Sequence, residues 1–414
     1  MRILNINRLQ EIKKIMQDIR VYKQGIQIMA PKGLFYLIKI NNLTHPVANI
    51  LKQEMLSLGA DVAISKDALT GKPEKTDCLL MGSLSQINRL NQKLKNQPFG
   101  LSRLSNEFFL SIKNYTRQSF LLDLGKYKLN LGQKKHIMGI VNLTPDSFSG
   151  DGFYSKIQNP CLSGRQAKSK IQIDSIVKHT EKMVRDGADI IDVGGESTHP
   201  GAKPVSLKEE LKRTIPVIKL LAKKIRVPIS IDTYKPQVAK AALDNGAVIV
   251  NDITALRNPE MAKVVAKYKA GVVLMHMKGK PRTMQDTPQY KSLIDDIIEY
   301  LNKAITRAVE SGIDKEKIIV DPGIGFGKTL GHNLMILKGL KEFKVLGRPI
   351  LVGPSRKSFI GRLLDLPPEE RLFGTLASVA LAAVNGADLI RVHDVREAKQ
   401  ALKIIDAILG CRGT

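Results

Sequence analysis

The sequence predicts an α/β protein in which a small α/β domain, residues 1–118, precedes a (β/α)8 TIM barrel, residues 119–414. The 414 residues exceed the size of one ordinary hydrophobic core, which favours two domains. From about residue 119 onward, short apolar runs alternate with helical patterns, as in βαβ units around a parallel sheet. Eight such runs within 137–410 match a closed barrel of ~250 residues, and a doubly wound open sheet is the alternative.

Residues 1–118 have the periodicities of a small α/β domain. Apolar residues fall on one helical face of the stretch "NRLQEIKKIMQDI", and strands are predicted over 35–40 and 77–82. Ser83 is placed to cap the helix that follows it in "SLSQINRLNQKLKNQ". Because this region contains no set of catalytic residue types, we expect it to serve packing or oligomerisation.

The barrel region opens with "FLLDLGKYKLNLGQKK", which predicts strands that lead into the first barrel strand. Helical candidates such as "SIVKHTEKMVRDG" and "KPQVAKAALDNG" separate the apolar runs, as parallel strands require. The predicted barrel strands are 137–141, 189–195, 227–233, 247–253, 271–277, 318–323, 349–355 and 389–394.

The chain is strongly basic, with a formal net charge of +26 and a pI near 9.8. Such a charge first suggests a nucleic-acid partner. The basic residues are spread along the chain, however, with no block of five in a row and no aromatic-interleaved binding pattern. We therefore expect no nucleic-acid partner, and a basic surface would instead steer phosphorylated substrates towards the protein.

The sequence gives no sign of membrane or export segments. No apolar run reaches the ~18–20 residues of a membrane span, and the N-terminal stretch lacks the pattern of a signal peptide. The three cysteines lie far apart and form no CxxC pair, which is typical of a reducing compartment. We expect a cytoplasmic protein with no membrane partner.

Every predicted barrel strand ends in a polar side chain that could act in binding or catalysis. In a barrel the carboxyl ends of all strands open onto one face, where the loops build a single pocket. One such residue alone could be a turn or cap residue, but eight together predict an active site. The residues are Asn142, Asp192 with Glu196, Asp232, Asn251 with Asp252, His276, Asp321, Ser355 with Lys357, and Arg391 with His393.

Two loops suggest how this pocket is shaped. The hydroxyl-rich "GGESTHPGAKPVS" (194–206) would suit a mobile lid. In "DPGIGFGKT" (321–329), Pro322 stands where a phosphate-binding Walker A loop requires glycine. We interpret its glycines as letting the backbone approach a flat ligand beneath Phe326.

The stretch "GPSRKSFIG" (353–361) predicts an anion site. Ser355, Arg356 and Lys357 fall at a strand end before a helix, where backbone N–H groups and the helix dipole favour negative charge. Arg391 and His393 in "RVHD" add two donors for phosphate oxygens.

Ordinary structural roles compete with these interpretations. Asp232 and Asp321 could cap the next helices, and His276 fits a core or rim histidine better than a metal ligand. No His/Cys spacing indicates structural zinc. Asn142 could be a turn residue, or it could hold Mg²⁺, which needs only one or two protein oxygens when substrate phosphates supply the rest.

Eight motifs in order across 135–410 resemble dihydropteroate synthase. They are "MGIVNLTPDSFS", "DIIDVGGESTHPGA", "SIDTYKPQVAKAAL", "VNDI", "LMHMKG", "DPGIGFGK", "LVGPSRKSFIG" and "IRVHDV". The resemblance implies a pterin-binding barrel, usually a homodimer. It also implies a transferase that joins 6-hydroxymethyl-7,8-dihydropterin diphosphate to p-aminobenzoate, giving 7,8-dihydropteroate and pyrophosphate in folate biosynthesis. The N-terminal region resembles an extension found on some members.

The resemblance also assigns roles to residues. Asp321, Asn251 and Lys357 would pair with the donors and acceptors of the pterin edge, and Asp232 would lie at the ring. Asn142 would hold Mg²⁺ on the diphosphate. The remaining substrate-binding residues would be Asp192, Thr198, His199, Met275, Gly325, Phe326, Ser355, Arg391 and His393, and the catalytic set would be Asp232, Lys357, Arg391 and His393.

Three departures from the family pattern leave alternatives open. His199 stands where the family usually has arginine, so an always-charged group is replaced by one mostly neutral at pH 7. The first loop reads "SFSGDGF", which differs from the usual family pattern, and the segment 154–172 is longer than the corresponding segment of most members. A pterin-dependent methyltransferase on the same barrel should lack "NLTPDSFS" and "SRKSFIG", whereas a basic non-enzymatic binding protein draws its best support from His199.

Overall fold

The computed structural model describes residues 1–144, 165–197, 204–279 and 288–410, apart from positions 7, 70, 71 and 73. The chain divides into two compact units, residues 1–113 and 114–414. The division falls within the helix α5 (Leu101–Thr116), so the predicted boundary after residue 118 lies just beyond the end of that helix.

Unit 1 contains a three-stranded antiparallel sheet in the order β1-β3-β2. Its strands are β1 (Phe35–Thr44), β2 (Asp61–Ile64) and β3 (Lys75–Ser83), and its other helices are α1 (Leu9–Asp18), α2 (Lys23–Met29), α3 (His45–Ser57) and α4 (Leu84–Leu94). Leu51, Leu80 and Leu90 are fully buried in its core. The Ser83 hydroxyl accepts from the Gln86 N–H at 3.3 Å, which confirms the predicted cap of α4.

Unit 2 begins with an antiparallel hairpin and continues as eight parallel strands with intervening helices. The hairpin is β4 (Phe120–Asp123) and β5 (Lys128–Leu131). The barrel strands are β6 (His136–Asn142), β7 (Ile190–Gly194), β8 (Ile229–Asp232), β9 (Ile249–Asp252), β10 (Gly271–Met275), β11 (Ile318–Asp321), β12 (Leu351–Val352) and β13 (Leu389–Val392).

The helices of unit 2 follow the barrel strands in turn. They are α6 (Arg165–Arg185), α7 (Leu207–Lys224), α8 (Pro236–Asp244), α9 (Pro259–Tyr268), α10 (Leu293–Glu310), α11 (Leu330–Lys338), α12 (Ser358–Leu364), α13 (Leu372–Val384) and α14 (Val395–Gly410). Short 3₁₀ helices occupy Ala30–Gly33, Lys66–Leu69, Lys315–Lys317, Leu340–Leu346 and Pro368–Glu370. Within the described ranges, no helix is both long and apolar enough to cross a bilayer.

The sheet of unit 2 closes on itself. Its strand order is β11-β10-β9-β8-β7-β6-β13-β12. A parallel bridge between Val320 and Ile350 joins the two ends, and the Val320 N–H donates to the Pro349 carbonyl at 2.9 Å. The predicted (β/α)8 barrel is therefore confirmed, and the open doubly wound sheet is excluded.

The hairpin seals the amino end of the barrel interior. Phe120, Leu122 and Leu131 pack in one buried cluster with residues from the amino halves of the strands, among them Met138 and Ile190. Because apolar side chains fill this end, the polar strand ends are left to form a site at the carboxyl end. A separate apolar layer packs the outer faces of the strands against the helices.

Candidate functional site

Four predicted residues form one hydrogen-bonded cluster at the carboxyl ends of the strands. Arg391 donates from Nε to Asp192 Oδ2 and from Nη2 to Asp232 Oδ2, each at 2.7 Å. Asn251 donates from Nδ2 to the same Asp192 oxygen at 3.0 Å. The side chains come from β7, β8, β9 and β13, so barrel closure brings together residues that are far apart in the sequence.

The cluster is buried and short of positive charge. Asp192 is fully buried and Asp232 is 8% exposed, and the second carboxylate oxygen of each has no hydrogen-bond partner in the described part of the chain. Burial raises the pKa of the Asp232 carboxyl, and Arg391 opposes that rise. Since unpaired buried oxygens are costly, this arrangement suits a ligand that brings N–H donors or positive charge.

Asp321 and Lys357 lie beside this cluster. The Gly323 N–H donates to Asp321 Oδ1 at 2.6 Å, and burial raises the pKa of the Asp321 carboxyl to about 6. Burial, with the nearby charge of Arg391, lowers the pKa of Lys357 to about 8. The Lys357 ammonium lies 4.3 Å from the centre of the Phe326 ring. A carboxylate, an ammonium and an aromatic face therefore meet at one place.

An apolar wall borders these polar groups. Met275, at the end of β10, packs with Ile253, Met277 and Phe326, and Tyr234 is half-buried against them. A flat heterocycle could lie against such a wall while its edge meets the polar groups.

Ser355 and His393 form a hydrogen-bonded pair. The Ser355 hydroxyl accepts from the His393 backbone N–H at 3.3 Å and lies 3.0 Å from His393 Nδ1. Burial, with the charges of Arg356 and Arg391, lowers the pKa of His393 to about 3, so its ring is neutral. In the tautomer that has its proton on Nε2, the hydroxyl donates to Nδ1 and the Nε2 N–H can donate to a ligand.

Arg356 does not join the predicted anion site. Its guanidinium binds Asp394, two residues after β13, with Nε 3.0 Å from Oδ2 and Nη2 2.5 Å from Oδ1. Its backbone N–H donates to Thr375. The carboxylate neutralises the guanidinium, so Arg356 ties two loops together, and the positive charge for an anion is left to Lys357 and Arg391.

The glycines of the 321–329 loop differ in what they face. A Cβ on Gly323 would lie 2.0 Å from the His276 carbonyl oxygen, and one on Gly327 would lie 2.5 Å from that of Lys278. Gly325, by contrast, faces the Lys357 side chain, 3.2 Å from its Cδ. Two of the three therefore admit the backbone after β10 rather than a ligand, which corrects the simpler interpretation from the sequence.

Sequence reasoning singled out Glu196 but missed its partners Lys235 and Glu210. Lys235 forms ion pairs with both carboxylates and donates to the Val205 carbonyl at 2.9 Å. Tyr234 donates to Glu196 at 2.9 Å. The network joins residues on both sides of the 198–203 segment, a link that single-sequence patterns do not reveal.

Lys328 is a second residue that the sequence patterns do not single out, because the stretch "GKT" resembles only part of a phosphate loop. Lys328 is 2% exposed, and its ammonium group donates a hydrogen bond to Nδ1 of His276. His276 is itself buried, as expected. A lysine inside a glycine-rich loop at a strand end was the available signal.

The remaining predictions concern a metal and the first two loops. A Cβ on Gly194 would lie 3.7 Å from Asn142 Oδ1 and 3.8 Å from Asp232 Oδ2, so two oxygens of the type that Mg²⁺ prefers face the same glycine. Among the described residues, no group of three or more His, Cys, Asp or Glu side chains could hold a metal by itself. Thr198, His199 and the predicted contacts of residues 145–164 lie outside the described residues.

Comparison with known proteins gives consistent matches. The family described as pterin binding enzyme matches residues 138–393. The dihydropteroate synthase of Escherichia coli (strain K12) is 46% identical over 277 residues, covering 67% of this chain and 93% of that protein. The solved Xanthomonas albilineans dihydropteroate synthase with 4-aminobenzoic acid is 39% identical with a TM-score of 0.63, covering 71% of this chain and 100% of that one.

A further match extends into unit 1. A probable bifunctional folylpolyglutamate synthase/dihydropteroate synthase of Halobacterium salinarum is 36% identical over 407 residues. These cover 97% of this chain but 46% of that protein. The region before the barrel therefore has a counterpart in at least one relative.

Proposed function

Because the chain belongs to the dihydropteroate synthase family of pterin binding enzymes, we propose how its barrel carries out that family's reaction. The enzyme is a transferase of folate biosynthesis. Its substrates are 6-hydroxymethyl-7,8-dihydropterin diphosphate and p-aminobenzoate, and its products are 7,8-dihydropteroate and pyrophosphate. The observation that carries the assignment of the site is the buried cluster of Arg391, Asp192, Asp232 and Asn251 beside Asp321 and Lys357.

Asp321, Asn251 and Lys357 recognise the pterin. The amino-pyrimidinone edge carries two neighbouring N–H donors, and a carboxylate such as Asp321 can accept both. Asn251 already donates to Asp192, which leaves its carbonyl oxygen as an acceptor. Lys357 supplies a donor for the ring acceptors. A ligand without this pattern would leave buried polar groups unpaired, so the site discriminates strongly.

Asp232 and Arg391 act on the charges that develop during the reaction. When the bond to pyrophosphate breaks, positive charge grows on the pterin methylene. The Asp232 carboxylate, whose second oxygen lacks a partner in the described structure, stabilises that charge. Arg391, with the Nε2 proton of neutral His393, holds the departing anion. The p-aminobenzoate nitrogen then attacks the methylene and loses a proton.

Asn142 is the residue that would hold Mg²⁺. Its side-chain oxygen faces Gly194, as does Asp232 Oδ2, and this donor chemistry fits a hard cation bound mainly by substrate oxygens. When bound, the cation supplies positive charge against the pyrophosphate. The p-aminobenzoate would lie near Ser355, with Thr198 and His199 as further predicted contacts.

The test is pyrophosphate release by the purified full chain with both substrates and Mg²⁺. Asp232→Asn should lower turnover by about 10²–10³-fold, the range seen when a charge-stabilising group is removed. Asp244→Asn is the matched control, because Asp244 is exposed and pairs with Lys240. Unchanged turnover of the Asp232 variant would refute its role, and no release by the wild type would refute the proposed reaction.

We also propose that the enzyme is a homodimer through α13 and α14. These adjacent helices expose several large apolar side chains, which a second copy would cover. They are Phe373, Leu381, Val384, Ile404 and Ile408. Light scattering after gel filtration should give twice the chain mass, and Ile404→Glu should give a monomer whereas Val309→Glu on α10 should not. A cytoplasmic location stays a prediction from the sequence.

A further inference from the structure

Lys328 is a buried ammonium group that the reaction above does not use. Nζ lies 2.9 Å from the Phe326 carbonyl oxygen, 3.0 Å from His276 Nδ1 and 3.4 Å from the His276 carbonyl oxygen. These contacts account for all three N–H donors of the ammonium. None of the three acceptors is a carboxylate, although a lysine that is only 2% exposed usually pairs with one.

A single glycine separates this ammonium from Asp321. The Gly323 N–H donates to Asp321 Oδ1 at 2.6 Å. On its other side, a Cβ at Gly323 would lie 3.3 Å from Lys328 Nζ. The uncompensated charge of Lys328 therefore lies just behind the carboxylate that is proposed to accept the pterin N–H groups.

The same ammonium also fixes the aromatic face of the site. The Phe326 carbonyl that accepts from Lys328 belongs to the residue whose ring faces the Lys357 ammonium. Because Lys328 also binds His276 at the end of β10, it joins two neighbouring strand ends and holds the loop between Asp321 and Phe326 in place.

We propose that Lys328 is a positioning residue for pterin recognition, which keeps Asp321 ionised and holds the Phe326 backbone against the end of β10. This inference rests on the proposed function of the site. Lys328 acts through Asp321 and Phe326 and need not touch the substrate.

The surrounding charges support this role. The cations that act on Asp321 are Lys357, Lys328 and Arg391. Burial lowers the pKa of Lys328 to about 7, and Asp321 is the group that raises it. Burial lowers the pKa of His276 far below its usual range, and the charges of Lys328, Arg257 and Lys278 lower it further, so its ring stays neutral. The charge of Lys328 therefore favours ionised Asp321, and the charge of Asp321 favours protonated Lys328.

The experiment compares Lys328→Gln with the wild type over pH 5–9. Glutamine keeps N–H donors but removes the charge. Loss of a nearby positive charge favours protonated Asp321, so the part of the acid limb of kcat/KM for the pterin diphosphate that Asp321 sets should move upward by about one pH unit. The KM for the pterin should rise most below pH 7, and the KM for p-aminobenzoate should stay unchanged.

Two further variants separate charge from structure. Lys278→Gln removes a neighbouring exposed lysine and should leave the profile unchanged. Lys328→Gln combined with Asp321→Asn should show no shift of the acid limb beyond that of Asp321→Asn alone, since the two groups act as one unit. If the single Lys328 variant is too unstable, Lys328→Met with equilibrium binding of 6-hydroxymethylpterin gives the same comparison.

A Lys328→Gln enzyme with the wild-type acid limb and pterin KM would overturn the inference and leave the proposed reaction intact. A lower melting temperature with an unshifted profile would likewise assign Lys328 a merely structural role. Absence of pyrophosphate release by the wild type would instead overturn the proposed function.

Discussion

Nη2 of Arg391 donates to Oδ2 of Asp232 at 2.7 Å, although the two residues lie 159 positions apart in the sequence. The same guanidinium donates from Nε to Asp192, so one cation spans two carboxylates. The planar fork of arginine has the geometry for this, and lysine has not. In the proposed reaction, a diphosphate that binds Arg391 would compete with Asp232 and leave the carboxylate free to face the positive charge on the methylene.

This arrangement predicts that Arg391→Lys is not a conservative change. One ammonium cannot reach both carboxylates in the same way, so we expect turnover to fall by about 10²-fold, as for the loss of a bidentate contact at a reacting centre. The measurement is pyrophosphate release at saturating substrate. Arg103→Lys, on the exposed pair with Glu107, is the control, and equal activity of both variants would contradict the role of the fork.

The pKa values of Asp321 and Lys357 predict a bell-shaped pH dependence. The raised pKa of Asp321, about 6, means that its carboxylate is lost as the pH falls through 6. The lowered pKa of Lys357, about 8, means that its charge is lost as the pH rises through 8. Burial also raises the pKa of Asp232, whose carboxylate the proposed reaction needs, to about 7, so we expect kcat/KM for the pterin diphosphate to be highest between about 7 and 8.

Substitutions identify each limb of this profile. Lys357→Arg should remove the alkaline limb, because a guanidinium stays charged throughout. Asp321→Asn should remove the part of the acid limb that Asp321 sets, leave the part set by Asp232, and bind the pterin weakly at every pH. An alkaline limb that persists in the Lys357 variant would show that another group titrates there.

The fold and most site positions could be predicted because the information is local. Each barrel strand is a short apolar run with a polar residue within its carboxyl half or shortly after its end, and closure brings those ends together whatever the loops contain. The pairing of side chains could not be predicted in the same way. The position of Arg356 before a helix predicts that its side chain binds an anionic ligand. Its guanidinium instead forms an ion pair with Asp394, two residues after the neighbouring strand β13. Lys328 turns into the protein because His276 offers acceptors there.

Removal of the Lys235 charge from its ion-pair network should lower the stability of the protein strongly. Lys235 lies between Glu196 and Glu210, and Glu210 is 1% exposed. Removing the cation that pairs with both carboxylates should cost about 3–5 kcal/mol, as for broken buried pairs. Lys235→Met and the control Lys240→Met, on an exposed pair, should be compared by urea denaturation. A free energy of unfolding equal in the two variants would contradict the prediction.

Alanine substitutions at Gly325 and Gly125 should distinguish the effect of backbone strain on stability from an effect on substrate binding. Gly325 has φ +83° and faces Lys357, whereas Gly125 in the hairpin turn has φ +78°, and a Cβ there would meet no described atom within 4 Å. Alanine at either position should therefore cost a similar ~1–2 kcal/mol of stability, because an L side chain is strained there. Only Gly325→Ala also displaces the Lys357 side chain, so only this variant should raise the KM for the pterin diphosphate. Steady-state kinetics and thermal unfolding of both variants check this, and an equal pterin KM in the two would show that Lys357 does not depend on its contact with Gly325.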